Sequence, residues 1–266
     1  MNDENANIID CHNHLTDDFD IDGADRYFID LEKAGVRRVM VCAISHTRWG
    51  GNEATLNLKQ RYPERIVVFA YIDVDRDPVE DVWKYKEQGF SGLKIIQTEE
   101  RYDDPKYMKY YAEASKAGMP ILFHTGFLGL RPGRYVRCDY YRPITLDTIA
   151  RYNPDLRMIC AHMGNPWWDE GFLVMWKHKN IYCDMSGLSA CRRDLDLWVR
   201  LFKPNGELHE AVSKLVFASD QFLFGSANYS DLYIHYHRRL FDLLELDQET
   251  RHRIFNENFL KIIGES

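Results

Sequence analysis

The 266-residue sequence predicts an α/β fold, a closed (β/α)8 TIM barrel built as a single domain over residues 1–266. Three observations carry that expectation. Eight short apolar runs rich in β-branched residues recur along the chain, amphipathic stretches separate them, and histidines and an aspartate follow several runs at the same end.

The predicted strands are residues 7–11, 38–42, 66–72, 92–96, 120–123, 156–161, 180–184 and 214–218. Their continuous apolar character suits strands buried on both faces. Predicted helices occupy 23–34, 53–61, 79–88, 105–117, 145–152, 169–178 and 195–213, and 229–245 and 248–263 follow the last strand. Ala34-Gly35, Tyr62-Pro63, Gln88-Gly89 and Ala117-Gly118 supply helix stops. Longer loops follow strands two, five and six, and an open doubly wound sheet is the alternative to closure.

A hydrophobic content of 45%, with 14% aromatic residues, is ample for one large core. The formal charge of −7 is spread through interspersed basic and acidic residues, which argues against a nucleic-acid footprint and for a small-molecule substrate. The acidic, polar N-terminus is unlike a signal peptide, and no apolar run reaches a membrane span of about 20 residues, so a cytoplasmic protein with no membrane partner is expected. Cys11, Cys42, Cys138, Cys160, Cys183 and Cys191 lack a C-x-x-C spacing and read as reduced thiols.

The chemistry-bearing residues sit at strand ends. Asp10-Cys11-His12-Asn13-His14 closes the first run, and strict alternation would project Asp10, His12 and His14 together while Cys11 and Asn13 turn away. Strand five ends at His124, strand six at His162 and strand eight at Asp220. Three or four nitrogen and carboxylate ligands with one open position are what a catalytic divalent metal requires. The bland reading of each residue alone is a satisfied core histidine or a capping carboxylate; the joint arrangement at one barrel mouth favours a site.

On these residues the chain resembles the amidohydrolase superfamily, and within it the amidohydrolase-related group (amidohydrolase 2) that includes aminocarboxymuconate-semialdehyde decarboxylase and pyrone-dicarboxylate lactonase. The carriers are Ile9 to His14, Pro120 to His124, Cys160-Ala161-His162-Met163-Gly164, Phe217-Ala218-Ser219-Asp220 and Asn256-Glu257-Asn258-Phe259-Leu260. The resemblance implies that His12, His14, His124 and Asp220 hold one metal, zinc or alternatively manganese, and that His162 acts in catalysis or as an alternative ligand. It also implies a metal-activated water, with Asp220 taking the proton and His162 stabilising the oxyanion or protonating the leaving group.

Lys94, on the fourth strand, occupies the place where some binuclear relatives carry a carboxylated lysine between two metals; donation to a carboxylate or substrate oxygen is the commoner use of such a residue. Arg131, Arg134, Arg137 and Arg142, with Tyr135, Tyr140 and Tyr141, follow His124 and point to an anionic substrate. Trp49 and Trp167, in the loops after strands two and six, are candidates to wall the pocket. His178, His209, His235, His237 and His252 fall in helical segments, where surface or core-edge placement is the default.

The leading expectation is a metal-dependent hydrolase of an amide, ester or lactone in a small, carboxylated molecule. A metal-dependent decarboxylase of the same superfamily is the alternative, and a barrel that binds ligand without turnover is the alternative of another class. Barrels often associate through their outer helices, so a homo-oligomer fits as well.

Overall fold

The structure, a computed structural model, describes residues 7–21, 24–129, 137–187, 194–223 and 230–265. Its centre is one sheet of parallel strands: β1 Ile8–Leu15, β2 Val36–Cys42, β3 Ile66–Tyr71, β4 Gly92–Ile95, β5 Ile121–Phe123, β6 Met158–Cys160, β7 Ile181–Asp184, β8 Leu215–Val216 and β9 Gln221–Leu223. From β1 to β8 each strand pairs with the next in sequence, and β9 returns to pair with β1.

The eighth barrel strand therefore arrives in two pieces, β8 against β7 and β9 against β1. The residues between them are tied to β1: Cys11 N–H donates to the Phe217 carbonyl at 3.0 Å, and Asp220 N–H donates to the His12 carbonyl at 2.8 Å. These bonds close the barrel and exclude the open sheet. The break has a function in placement, because Asp220 adopts φ 58° and its side chain turns to the mouth as the strand resumes.

Helices cover the outer face: α1 Ala24–Lys33, α2 Gly51–Arg61, α3 Asp81–Glu87, α4 Met108–Lys116, α5 Thr145–Tyr152, α6 Trp168–Lys177, α7 Leu195–Phe202 and α8 Ser230–Leu244. One expectation is corrected here. The helix predicted over 195–213 ends at Phe202, because Pro204 disfavours helical backbone at Lys203, and the chain resumes only as a 3₁₀ turn, Glu210–Lys214. The helix predicted over 248–263 is α9 Gln248–His252 and α10 Asn258–Ile263, joined by a π-helical turn, Arg253–Glu257.

Period-two alternation sorts the strand residues into two apolar layers. One lies between sheet and helices and includes Val39, Val68, Leu93, Ile121 and Met158. The other fills the barrel and includes Ile9, Met40, Phe69, Leu122, Ile159, Tyr182 and Val216, with Phe259 and Ile262 of α10 plugging the end opposite the strand C-termini. The barrel interior is thus a packed core, closed by α10 at that end.

β1 departs from simple alternation. Asp10 pairs with Val39 and Asn13 with Val41, so three steps on β1 oppose two on β2, a bulge at Cys11 and His12. Cys11 belongs to the inner cluster, yet His12 and His14 also reach the interior, which strict alternation forbids. Asp10 is correspondingly carried away from the histidines, against the sequence expectation. Its carboxylate accepts from Ser219 N–H at 3.0 Å and Ser219 Oγ at 2.6 Å, stapling the broken eighth strand to β1.

Cys11, Cys42, Cys160 and Cys183 are buried free thiols and Cys138 is a half-buried one, whereas Cys191 lies outside the described residues. Among the described residues no helix is long and apolar enough to cross a membrane.

Candidate functional site

The C-terminal ends of the strands gather all five residues of the predicted constellation. His12 and His14 come from the bulged end of β1, His124 directly follows β5, His162 follows β6, and Asp220 sits between β8 and β9. Ring centroids are 5.0 Å apart for His12 and His14, 5.1 Å for His12 and His162, and 5.0 Å for His124 and His162. The Oδ1 of Asp220 lies 3.5 Å from His12 Nε2 and 3.2 Å from His14 Nε2.

The nitrogen that each ring turns inward is fixed by what the other nitrogen meets. His14 Nδ1 donates to the Cys42 carbonyl at 2.9 Å, and a carbonyl can only accept. His12 Nδ1 donates to Asp184 Oδ2 at 3.2 Å, and an ionised carboxylate likewise only accepts. His162 Nδ1 lies 3.2 Å from the Ser186 carbonyl and 2.9 Å from Ser186 Oγ, and that hydroxyl gives its own hydrogen to Asp184 Oδ1 at 2.6 Å. All three rings therefore carry hydrogen on Nδ1 and turn Nε2 to the centre. His124 is buried, and its Nε2 has no hydrogen-bond partner among the described residues.

Burial and charge act together here. Burial works against a carboxylate at Asp184 and Asp220, but the surrounding histidines outweigh it and hold both well below the usual carboxylate range. Burial also works against the charged form of His14; its neighbours Cys42 and Asp220 override that and push it up to about 10. His124 is held well below its ordinary value by burial and then by His162, and His162 is lowered by burial against the pull of Asp220 and Asp184.

The donor atoms of His12, His14 and Asp220 fit a divalent cation, whereas His124 belongs to neither group of donors close enough to share one. Donors about 2.0–2.1 Å from a tetrahedral zinc lie about 3.3–3.4 Å from each other, and the two separations to Asp220 Oδ1, 3.2 and 3.5 Å, bracket that value. The Nε2 of His124 is a buried nitrogen with no hydrogen-bond partner among the described residues, and with the ring hydrogen on Nδ1 its lone pair would be open to such a site. The cluster of donor atoms lying within 4.8 Å of one another includes His12, His162 and Asp220, so His162, expected as the catalytic member, stands as near the centre as a ligand would. A second cluster, His12, His14 and Cys42, includes a thiol that strand pattern alone marked as core.

Lys94 is fully buried on β4, and its Nζ hydrogen-bonds His12 Nε2 at 3.1 Å. Burial lowers its pKa, while Cys42, Asp220 and Asp184 resist the shift. Two further residues escaped sequence reasoning. Asp184 ends the apolar run of β7, the position from which the other site residues were found, and Ser186 lies two residues beyond. The signal was present in Asp184, an acid at a strand C-terminus; Ser186 gives none.

The surrounding loops are less available than their composition suggested. Arg142 pairs with Glu170 and lies over Trp167, while Arg137 pairs with Asp139, which occupies both guanidiniums locally. Tyr141 is buried and donates to the Thr98 carbonyl at 3.1 Å. Arg131, Arg134 and Tyr135 lie outside the described residues. Trp49 does approach the mouth, packing on Phe222 at 5.2 Å, and Phe222 packs on His14 at 5.3 Å. His178 pairs with Asp147, and His237 is buried in the core, deeper than its helical position implied.

Comparison with known structures and families bears on the fold and the family of the chain. A "probable 2-pyrone-4,6-dicarboxylic acid hydrolase" from Acinetobacter baumannii, with citric acid bound, aligns over 97% of this chain and 99% of its own at 15% identity, TM-score 0.63. An uncharacterized TIM-barrel protein from Bordetella bronchiseptica aligns over 97% and 98% at 15% identity, TM-score 0.72. The 2,6-dihydroxybenzoate decarboxylase from Rhizobium aligns over 97% and 98% at 13% identity, TM-score 0.66. At such identities the likeness shows a shared TIM-barrel fold. No curated protein matches the chain by sequence. The family model described as amidohydrolase matches residues 9–264. That match starts at Ile9 in β1, ends at Gly264 beyond α10 and spans every strand that supplies the mouth: the chain belongs to the amidohydrolase family.

Proposed function

We propose that the protein is a metal-dependent hydrolase cleaving an amide, ester or lactone bond in a small, carboxylated molecule. The observation that carries this reading is the pair of inward Nε2 atoms of His12 and His14 on Asp220 Oδ1, spaced at 3.5 and 3.2 Å as the donors of one cation are. His12, His14, His124 and Asp220 would hold the ion, one zinc or alternatively manganese. When bound, it supplies Lewis-acid polarisation of the scissile carbonyl and acidifies a water.

The protein groups supply the proton transfers. Asp220, held ionised, accepts the proton of the attacking water. His162 has its Nδ1–H committed to Ser186, so its Nε2 is free to take over the proton that Asp220 received and to deliver it to the leaving group. Arg131 and Arg134, in the segment after His124, are the arginines left to receive a substrate carboxylate, since Arg137 and Arg142 have acidic partners. Trp49, packed on Phe222, and Trp167, beneath Arg142, would wall the pocket.

Decarboxylation of a carboxylated aromatic is the second reading, supported by the likeness to 2,6-dihydroxybenzoate decarboxylase and by the same inward nitrogens. Zinc-loaded protein assayed against carboxylated lactones, esters and amides and against carboxylated phenols separates the two. Acid release without carbon dioxide supports the hydrolase; carbon dioxide release without acid overturns it in favour of the lyase.

A further inference from the structure

Asp184 is fully buried at the end of β7, and each of its oxygens serves a different histidine. Oδ2 accepts from His12 Nδ1 at 3.2 Å. Oδ1 accepts from the backbone N–H of His162 at 2.8 Å, from Ser186 N–H at 3.0 Å and from Ser186 Oγ at 2.6 Å. Ser186, also fully buried, then receives His162 Nδ1 at 2.9 Å. One carboxylate thus lies behind the inward nitrogen of His12 directly and behind that of His162 through a hydroxyl.

The backbone shows how firmly this arrangement is built. His162 adopts φ 58° and ψ 20°, a left-handed conformation that side-chain-bearing residues rarely take, and its N–H is the group that Asp184 Oδ1 holds. Gly187 follows Ser186 at φ 89°, and a Cβ there would stand 3.4 Å from His162 Nδ1 and 3.6 Å from Asp220 Oδ2. The turn after β7 is therefore pressed against the site at backbone distance.

We propose that Asp184 and Ser186 are a positioning pair that locks the ring tautomers of His12 and His162 together, so that one carboxylate outside the ligand set governs both metal affinity and the orientation of the His162 ring. The proposal rests on the metal-site reading for its affinity arm and on geometry alone for its tautomer arm. Asparagine in place of Asp184 keeps the shape but replaces one acceptor by an NH2 donor, which cannot receive His12 Nδ1–H. The ring of His12 then moves its hydrogen to Nε2 and loses the lone pair a cation needs. Alanine in place of Ser186 leaves His12 with its carboxylate and takes away the nearer acceptor of His162 Nδ1, the hydroxyl at 2.9 Å, leaving the backbone carbonyl at 3.2 Å without a link to Asp184.

The test uses the full chain, with zinc affinity measured against a competing chelator and histidine tautomers read by 15N NMR on metal-free protein. Asp184→Asn should weaken zinc binding by about 10- to 100-fold and convert His12 from the Nδ1–H to the Nε2–H form. Ser186→Ala should keep zinc affinity within about threefold and turn the single tautomer of His162 into a mixture. A folded Asp184→Asn protein with unchanged affinity and an unchanged nitrogen pattern overturns the proposal. Should Asp184→Asn fail to fold, Ser186→Ala decides alone: an unchanged His162 pattern overturns the proposal. Wild-type protein that binds no zinc would sink the metal-site reading instead, and the tautomer arm would still stand or fall by the metal-free spectra.

Discussion

The Nζ of Lys94 and the carboxylate of Asp220 converge on the same atom of His12, its Nε2, at 3.1 and 3.5 Å. A cation held by His12 and Asp220 would have to share that nitrogen with the amine or displace it. Lys94→Met keeps the length of the side chain and removes the competing group, and zinc affinity should rise by about tenfold as the local positive charge is lost. Elemental analysis with chelator competition checks this. A bound metal count that falls by one in the variant would show instead that the lysine, carboxylated, is itself a ligand.

His124 and His162 should separate on substitution. Both are buried, but His124 Nε2 has no partner among the described residues, whereas His162 is braced through Nδ1 by Ser186. His124→Ala should lower zinc affinity at least about tenfold, as should His12→Ala and Asp220→Ala. His162→Ala should retain zinc within about threefold and lose roughly 100- to 10,000-fold in kcat, the usual contribution of a positioned acid–base group. Loss of metal from the His162 variant with metal kept in the His124 variant would exchange the two roles.

The barrel and the mouth constellation were legible because both rest on local pattern. Apolar runs mark buried parallel strands, and residues just past them must lie at one end of the barrel. Asp10 shows where that logic stops. Alternation groups it with His12 and His14, yet the three-against-two register of β1 on β2 sends it to Ser219, and a bulge leaves no mark in composition. Ser186 is invisible for another reason: its role is set by a carboxylate and an imidazole brought together only by closure of the sheet. The false helix beyond Phe202 came from reading apolar periodicity through Pro204, where local backbone chemistry overrides pattern.

Gly92 tests the packing beneath the site. It lies on β4 two residues before Lys94, and a Cβ there would stand 2.6 Å from the ring of Phe69, inside any permitted contact. Phe69 is itself fully buried and packed on Phe259 at 6.2 Å, so the ring has little room to retreat. Gly92→Ala should cost about 1–3 kcal/mol in chemical denaturation, the range for overpacking a core. A loss below about 0.5 kcal/mol would mean that the barrel interior is looser than the structure shows.

His237 makes stability depend on pH from within the buried core. It lies in α8 with its ring 5.1 Å from Phe217; Nδ1 donates to the Tyr233 carbonyl at 2.8 Å, and Nε2 has no partner among the described residues. Burial brings its pKa down from 6.5 to about 4, against the pull of the Tyr233 carbonyl and of Asp184. Between those values the unfolded chain binds the proton and the folded chain does not, so acidification favours unfolding. The contribution is complete above pH 6.5 and is lost as pH falls toward 4, amounting to about 3 kcal/mol at the acid end. His237→Leu should remove this term and flatten the acid limb by a comparable amount, read as the difference between wild-type and variant denaturation free energies at neutral pH and at about pH 4. Equal acid losses in the two proteins would show that His237 takes up its proton in the folded state as easily as in the unfolded one.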